Sequence, residues 1–291
     1  MSALTLPPEG VYLADSLSLL RGLPSASIDL VYIDPPFNTG KTQRLTALRQ
    51  SKEGTTRRPN FSGQEKFYEI ISTHAYGDKQ PLGEFLTWLE QNLVEIHRVL
   101  KDTGSIFLHL DWRTAHYARV LLDQIFGLEN FVNEIIWVYD FGARSKKFFA
   151  RKHDNIFWYS KTKHYTFNYD QVDRIPYLAP GLVGPVKAAR GKTVTDTWWQ
   201  TIVGTNDKNR THYPTQKPQV LIERIIKVVS NPGELVIDVF SGSGTTAAAA
   251  QKLGRRYIVS DQNPVAVEIT RKRLAAGRAG VAFQKYEPPN S

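Results

Sequence analysis

Residues 31–40 read V-Y-I-D-P-P-F-N-T-G and set three useful groups side by side. Asp34 closes an apolar run, 30–33, that reads as a buried strand. Pro35 and Pro36 have no backbone N–H and cannot continue a ladder. Phe37 follows at once on this stiff turn. A carboxylate, peptide carbonyls unclaimed by a sheet and a flat aromatic ring are thus gathered at the C-terminal end of a strand. That edge is where open α/β sheets bind ligands. Alone, the stretch also reads as a strand ended by a proline turn over a buried Phe.

A second chemical stretch lies far along the chain. Residues 235–237 form a strand ending at Asp238, F-S-G-S-G-T-T follows at 240–246, and an alanine-rich helix spans 247–253. Gly242 and Gly244 allow backbone angles and close approaches that a Cβ would block. The free N–H groups that open the helix point at whatever fills the turn. No Lys follows Gly244, so this is not a phosphate-binding P-loop, and Ala247 holds the last glycine position of a dinucleotide fingerprint. Asp261 lies about 20 residues on, at the end of the next strand, where a carboxylate can accept from ribose hydroxyls. Asp238 and Asp261 therefore frame a nucleoside pocket with no evident phosphate clamp.

The elements between these stretches alternate. A strand at 11–14 ends at Asp15, an amphipathic turn of helix follows, and the strand 28–33 completes a βαβ unit of a parallel sheet. Apolar residues recurring at three- and four-residue steps predict helices over 81–100, 114–126, 220–229 and 264–275. Strands are expected at 105–110, 131–139, 155–159 and 256–260. Residues 39–60 lack hydrophobic periodicity and read as a mobile basic loop, extended by charge to 66. Residues 170–210 carry prolines, glycines and the pair Trp198–Trp199 and show no regular pattern. Trp198–Trp199 reads as packing or dimer surface rather than as a base wedge.

Composition narrows the partners. The chain has 291 residues with 41% apolar content, enough for a sizeable core, and contains no cysteine, which removes disulfides, thiolate metal sites and thiol nucleophiles. No apolar run approaches the roughly 20 residues of a membrane span. Residues 1–8 lack the layout of a signal peptide, so a soluble, cytoplasmic protein is expected. His109, His153 and His212 show no ligand spacing, and no metal is expected. The net charge of +9 and pI near 9.5 favour a polyanion, nucleic acid first. Seven Lys/Arg fall in 41–66 and seven more in 144–163. From them Lys41, Arg44, Arg57, Arg58, Arg144, Lys146, Lys147, Arg151 and Lys152 are the candidate phosphate contacts.

A D-P-P-F turn and a nucleoside pocket without a phosphate-binding Lys make a sharp combination. The chain resembles the amino-group DNA methyltransferases that use S-adenosyl-L-methionine, whose catalytic motif reads [DNS]-P-P-[YFW]; D-V-F-S-G-S-G-T-T resembles their cofactor loop. Thr215–Pro218, T-Q-K-P, is similar to the segment that closes over the cofactor's methionine part, and Asp15 to the acidic residue that contacts its adenine. H-L-D-W at 109–112 and R-K-H-D at 151–154 resemble segments of the modification subunits of restriction systems. The catalytic turn precedes the cofactor loop, as in the circularly permuted β-group. Val239 departs from the Pro often found there. Protein-glutamine methyltransferases also carry a Pro-Pro-Tyr turn, but with Asn first and after the cofactor loop, which makes them a distant reading.

The resemblance implies a Rossmann-like, mostly parallel α/β sheet flanked by helices, with residues 1–169 catalytic, 170–211 a small target-recognition insert and 212–291 cofactor-binding. It implies Asp34, Pro35, Pro36 and Phe37 as catalytic. It also implies Asp15, Asp34, Lys217, Pro218, Asp238, Phe240, Ser241, Gly242, Ser243, Gly244, Thr245, Asp261 and Asn263 as cofactor contacts. Asp111 reads either as a further contact or as a capped helix start. The partner is double-stranded DNA in a bacterial or archaeal cell. A second copy of the chain and a cognate restriction endonuclease are further candidates that the sequence does not fix.

An exocyclic amine is a poor nucleophile because its lone pair is delocalised into the ring. Asp34 and the Pro35 carbonyl are both acceptors, suited to hold its two hydrogens and turn the lone pair toward a sulfonium methyl. No covalent intermediate is needed, and the lack of cysteine excludes cytosine-C5 chemistry. The base must leave the helical stack, at a cost of a few kcal/mol, and Phe37 can stack on it, returning roughly 1–3 kcal/mol. Within the family an Asp in the first motif position leans toward adenine-N6 and a Ser toward cytosine-N4, so Asp34 favours adenine. A non-catalytic DNA-binding protein on the same fold is the reading from a different class.

Overall fold

The protein is described here from a computed structural model covering residues 9–38, 41–50, 56–59, 65–78, 80–204, 207, 209–211, 213–275 and 283–286. Residues 41–50, 56–59, 65–78 and 283–285 are described by backbone alone. The chain begins with β1 (Gly10–Leu13), α1 (Ser16–Arg21), β2 (Ile28–Ile33), β3 (Lys41–Gln50), β4 (Thr56–Pro59) and β5 (Glu65–Asp78). There follow α2 (Leu82–Val99), β6 (Leu100–Asp111), α3 (Ala115–Phe126), β7 (Phe131–Val138) and β8 (His153–Ser160). Short pieces come next: β9 (Arg174–Ile175), α4 (Pro185–Arg190), β10 (Lys192–Thr193) and β11 (Thr197–Trp199). The last part holds α5 (Gln219–Val229), β12 (Leu235–Asp238), α6 (Thr245–Lys252), β13 (Arg256–Asp261), α7 (Pro264–Ala275) and β14 (Phe283–Lys285).

Among the described residues the main sheet has nine strands in the order β11-β7-β8-β6-β2-β12-β13-β1-β14. β6, β2, β12, β13, β1 and β14 run parallel, and β8 pairs antiparallel with both β6 and β7. The expected mostly parallel α/β sheet is therefore present. β2 is buried throughout and alternates between two cores, Leu30 and Tyr32 toward one, Val31 and Ile33 toward the other. The first core holds α5, α6 and α7, and the second α1, α2 and α3. The α2 face explains its helix: Phe85, Leu89, Leu93 and Ile96 recur at helical steps and are all buried. Each full burial is worth about 1.5–3 kcal/mol.

The register decides which residues meet. β12 touches β2 through Val236↔Leu30 and Ile237↔Val31. The pairing is extended by a side chain: buried Asp29 accepts from the Leu235 N–H at 2.9 Å while Lys101 pairs with its other oxygen at 2.7 Å. Because these strands are parallel, their C-terminal ends share one edge. Asp34 just beyond β2, Asp238 at the end of β12, Asp261 at the end of β13 and Asp15 just beyond β1 are thereby brought into one row.

Three expectations need correction. The described part of the expected loop is not a loop: β3 and β4 both pair antiparallel with β5 in a separate three-stranded sheet, and residues 39–40, 51–55 and 60 lie outside the described residues. The signal was cross-strand pairing with 65–78 rather than an apolar period, and a Thr-rich, alternating segment suits a ladder without one. The excursion starts directly after the D-P-P-F turn. Its neck is closed by Asn38, whose amide donates to the Gln80 carbonyl at 2.9 Å and accepts from its N–H at 2.8 Å. The strand expected at 105–110 begins earlier, at Leu100, which pairs with Ile28 across an irregularity in the ladder. Helix α6 also starts two residues before the alanine run, at Thr245, because Gly244 turns left-handed there and caps it.

Candidate active site

At this edge lies a cavity of about 570 Å³. Its walls include Asp34, Pro35, Pro36 and Phe37 on one side and Asp238, Phe240, Ser241, Gly242, Ser243 and Thr245 on the other. Asp15, Lys217, Asp261 and Asn263 complete it from the sequence-expected set. Gly244 and Pro218 are not wall residues but helix N-caps, of α6 and α5.

The glycine turn is built by its flanking carboxylates. Asp261 accepts from the Gly242 N–H at 2.9 Å with one oxygen and from the Asn263 N–H at 2.8 Å with the other. Asp238, wholly buried, accepts from Phe240 N–H at 2.9 Å and from the Thr246 hydroxyl at 2.6 Å. Burial drives the Asp238 carboxyl up to about 7, against those hydrogen bonds and with help from the charges of Asp34 and Asp261. Burial likewise raises Asp261. Both aspartates thus hold backbone in addition to lining the cavity. Asp15 caps α1, its Oδ1 accepting from the Ser18 N–H at 3.0 Å.

Gly242 and Gly244 have φ of +48° and +73°. A Cβ on Gly242 would come within 3.1 Å of the Tyr213 ring, and one on Gly244 within 2.4 Å of Thr270. Three residues that sequence reasoning missed brace this loop. Arg273 of α7 donates to the Ser243 carbonyl at 3.1 Å, to the Thr245 hydroxyl at 3.0 Å and to Gln219 at 2.9 Å. Thr270 donates to the Gly242 carbonyl at 3.1 Å. Trp88 of α2 meets the Phe240 ring edge-on at 5.4 Å. All three sit on helices whose apolar spacing carried no hint of the contact.

The residues fit a cationic nucleoside. Four carboxylates (Asp15, Asp34, Asp238, Asp261) line the cavity, and Lys217 is the cation among its described wall residues. Ser241 Oγ is buried there without a hydrogen-bond partner, free for a polar group of the cofactor. S-adenosyl-L-methionine, when bound, supplies an electrophilic methyl on a sulfonium.

Lys217, expected among the cofactor contacts, is a cavity wall residue and also reaches the D-P-P-F turn. Its ammonium is 2.6 Å from Asp34 Oδ2 and lies over the Phe37 ring, 4.6 Å from the centroid. Behind Phe37 stands His109, fully buried, with ring centroids 5.8 Å apart. His109 Nδ1 is 2.8 Å from the Tyr32 hydroxyl and Nε2 is 3.2 Å from Asp154, which also accepts from Tyr139 at 3.1 Å. These partners assign the tautomer: Nε2–H donates to the carboxylate and Nδ1 accepts from Tyr32. Burial alone would raise Asp154, yet its hydrogen bonds with His109 and Tyr139 and the charge of Lys217 hold it below the usual carboxylate range. Burial drives the Tyr32 phenol well up. His109 of H-L-D-W and Asp154 of R-K-H-D, distant in sequence, therefore meet in one buried network.

Asp111 takes neither expected reading: at the end of β6 it accepts from the Arg113 N–H at 2.9 Å within the turn, the N-cap of α3 is Thr114, and Asp111 is not a cavity wall. Trp198 is packing: buried in β11, it donates to the Thr195 carbonyl at 2.8 Å, whereas Trp199 is exposed. His212 lies outside the described residues.

The basic candidates fall in two groups. Lys41, Arg44, Arg57 and Arg58 sit on the strands of the small sheet, and their side chains lie outside the described part. Arg144, Lys146, Lys147, Arg151 and Lys152 belong to the connection between β7 and β8. The register Asp111↔Asp154 puts that connection on the same edge as the cavity. Arg144 pairs with Asp140 at 2.5 Å, and Lys152 donates to the Phe141 carbonyl. Arg151 lies over Trp112 at 4.1 Å and over Phe148 at 4.8 Å, next to Phe149, which is 99% exposed.

A family model described as DNA methylase, for the N6 and N4 amino-methyltransferases, matches residues 28–272. The type II methyltransferase M.BglII of Bacillus subtilis is 30% identical over 91% of this chain and 68% of its own. The DNA adenine methyltransferase YhdJ of Escherichia coli K12 is 29% identical, covering 89% of this chain and 80% of its own. Among solved structures, the cytosine-N4-specific PvuII DNA methyltransferase superposes with a TM-score of 0.62 at 18% identity, covering 92% of this chain and 90% of that one. The M1.HpyAVI complex with S-adenosylmethionine gives 0.57 at 19% identity, with coverage of 91% and 98%. The chain belongs to the N6/N4 DNA methylase family. It is a DNA amino-methyltransferase that uses S-adenosyl-L-methionine.

Proposed function

We propose that the protein methylates the N6 amine of a flipped adenine within a specific DNA sequence. The observation that carries this reading is the adjacency of β2 and β12, which sets Asp34 and the Pro35 carbonyl across one cavity from the glycine turn. Asp34 accepts one amine hydrogen and the Pro35 carbonyl the other, so the nitrogen lone pair faces the methyl donor. Positioning of this kind is worth about 7–11 kcal/mol in favourable cases. Asp at the head of the motif supports adenine, and so does the relative named as a DNA adenine methyltransferase.

Arg144, Lys146, Lys147, Arg151 and Lys152, with Trp112, Phe148 and Phe149 among them, form the face for duplex DNA. Such contacts give affinity without sequence choice. Residues 170–211 are the target-recognition insert, and its bare apolar tip supports that role: Leu178, Leu182 and Val186 are 96%, 88% and 80% exposed. The names of the relatives support a type II restriction–modification setting with a cognate endonuclease as partner. A homodimer would close over the β11 edge, where Trp199 is 74% exposed.

Digesting methylated DNA to nucleosides and identifying the product by mass spectrometry tests the reading. N6-methyladenine is expected, and N4-methylcytosine would refute the choice of base. Asp34→Ala should abolish methyl transfer while calorimetry still detects the cofactor. Unchanged transfer would remove Asp34 from its role.

A further inference from the structure

We propose that Lys217 occupies the place of the target amine in the DNA-free protein and must swing out before a flipped base can dock; this rests on the base-methylating reading above. Two contacts carry the inference. The Lys217 ammonium donates to the same carboxylate, at 2.6 Å, that is to receive the exocyclic amine. It also covers the Phe37 ring on which the base is to stack, 4.6 Å from the centroid, while the buried His109 ring packs against Phe37 from within. A stacked, hydrogen-bonded base and the ammonium compete for both positions at once.

The chain around Lys217 makes a side-chain swing the available motion. Pro218 follows it directly and caps α5, and the Lys217 carbonyl accepts from the Thr245 hydroxyl at 3.4 Å. The backbone is therefore tied to the cofactor turn, and the flexible four-carbon stem is left to move. The placement also relieves a charge problem. Asp34 is one of four wall carboxylates, with Lys217 as the cation among the described wall residues, and Asp154 lies close enough for its titration to feel the same ammonium. Lys217 thus shields the catalytic carboxylate until a neutral base, with its own N–H donors, replaces it.

The test follows base extrusion rather than turnover. Methylome sequencing with the wild-type protein first gives the recognition sequence, and 2-aminopurine is then placed beside the target base as a reporter of unstacking. At saturating enzyme and cofactor, Lys217→Met should raise the 2-aminopurine signal at least threefold over wild type, with the dissociation constant for S-adenosyl-L-methionine within threefold. Lys217→Gln, which keeps a weaker, uncharged donor for Asp34 and so protects folding, should show a rise between wild type and Lys217→Met. An unchanged or lower signal in the folded variants overturns the inference, and so does a tenfold loss of cofactor affinity, which would make Lys217 a cofactor ligand. Wild-type protein that leaves DNA unmethylated overturns the functional reading itself.

Discussion

Replacing Gly244 by Ala tests whether the cofactor turn is held by shape. Gly244 has φ +73° and ψ +29°, a left-handed conformation that costs a residue with a Cβ about 1–2 kcal/mol. The new Cβ would also lie 2.4 Å from Thr270 Cγ2 and 2.7 Å from its Oγ1. Overpacking of this kind costs about 1–3 kcal/mol more. Gly244→Ala should therefore lose about 2–5 kcal/mol of stability in urea denaturation, with weaker cofactor binding as the turn shifts. Thr270→Ala removes both close atoms at the cost of one hydrogen bond to Gly242, about 0.5–1.5 kcal/mol. In that background only Thr270 Cβ, 2.9 Å away, still crowds the new methyl, so Gly244→Ala should cost less than in wild type and the two changes should couple by about 1–2 kcal/mol. Additivity to within about 0.5 kcal/mol would refute the steric account and leave only the dihedral.

Asp154→Asn should leave cofactor affinity unchanged, cost about 1–3 kcal/mol of stability and slow methylation by up to about 100-fold through a loosened Phe37. Equal turnover in a single-turnover assay would mean that the buried network is structural only. Asp238 gives a pH test, since its folded-state value near 7 lies above the ordinary 3.8. Its stabilising contribution is thus fully present below pH 3.8 and lost as pH rises through about 7, on the order of a few kcal/mol. Asp238→Asn should flatten the stability–pH curve over that window in denaturation series, and parallel curves would contradict the raised value.

Sequence alone reached both chemical turns because each is written in local residues: two prolines after Asp34, two glycines after Asp238. The strands that carry them were legible for the same reason, being short apolar runs with a carboxylate at the end. What could not be read was long-range. Nothing local ties His109 to Tyr32 and Asp154, because the bond depends on β6 lying between β2 and β8. Arg273 looked like one more cation on an amphipathic helix, although it is largely buried and its burial depresses its pKa to about 10. The small sheet was missed because its strands pair with each other and carry no apolar period.

Charge explains how one chain serves two opposite tasks. The protein carries +9 overall, yet among the described residues its cavity is walled by four carboxylates and one paired lysine. A phosphate would be repelled from that interior, whereas a cationic cofactor and a neutral heterocycle are not. The cations gather instead on the β7–β8 connection, where Arg151 stacks between aromatic rings at the same sheet edge. A nucleic acid approaching that edge meets attraction at the rim and repulsion at depth. On the proposed reading its backbone would be held outside, and the part able to enter would be a base. The field of the protein would then favour extrusion of a neutral base over penetration of the strand, before any contact with Asp34 is made.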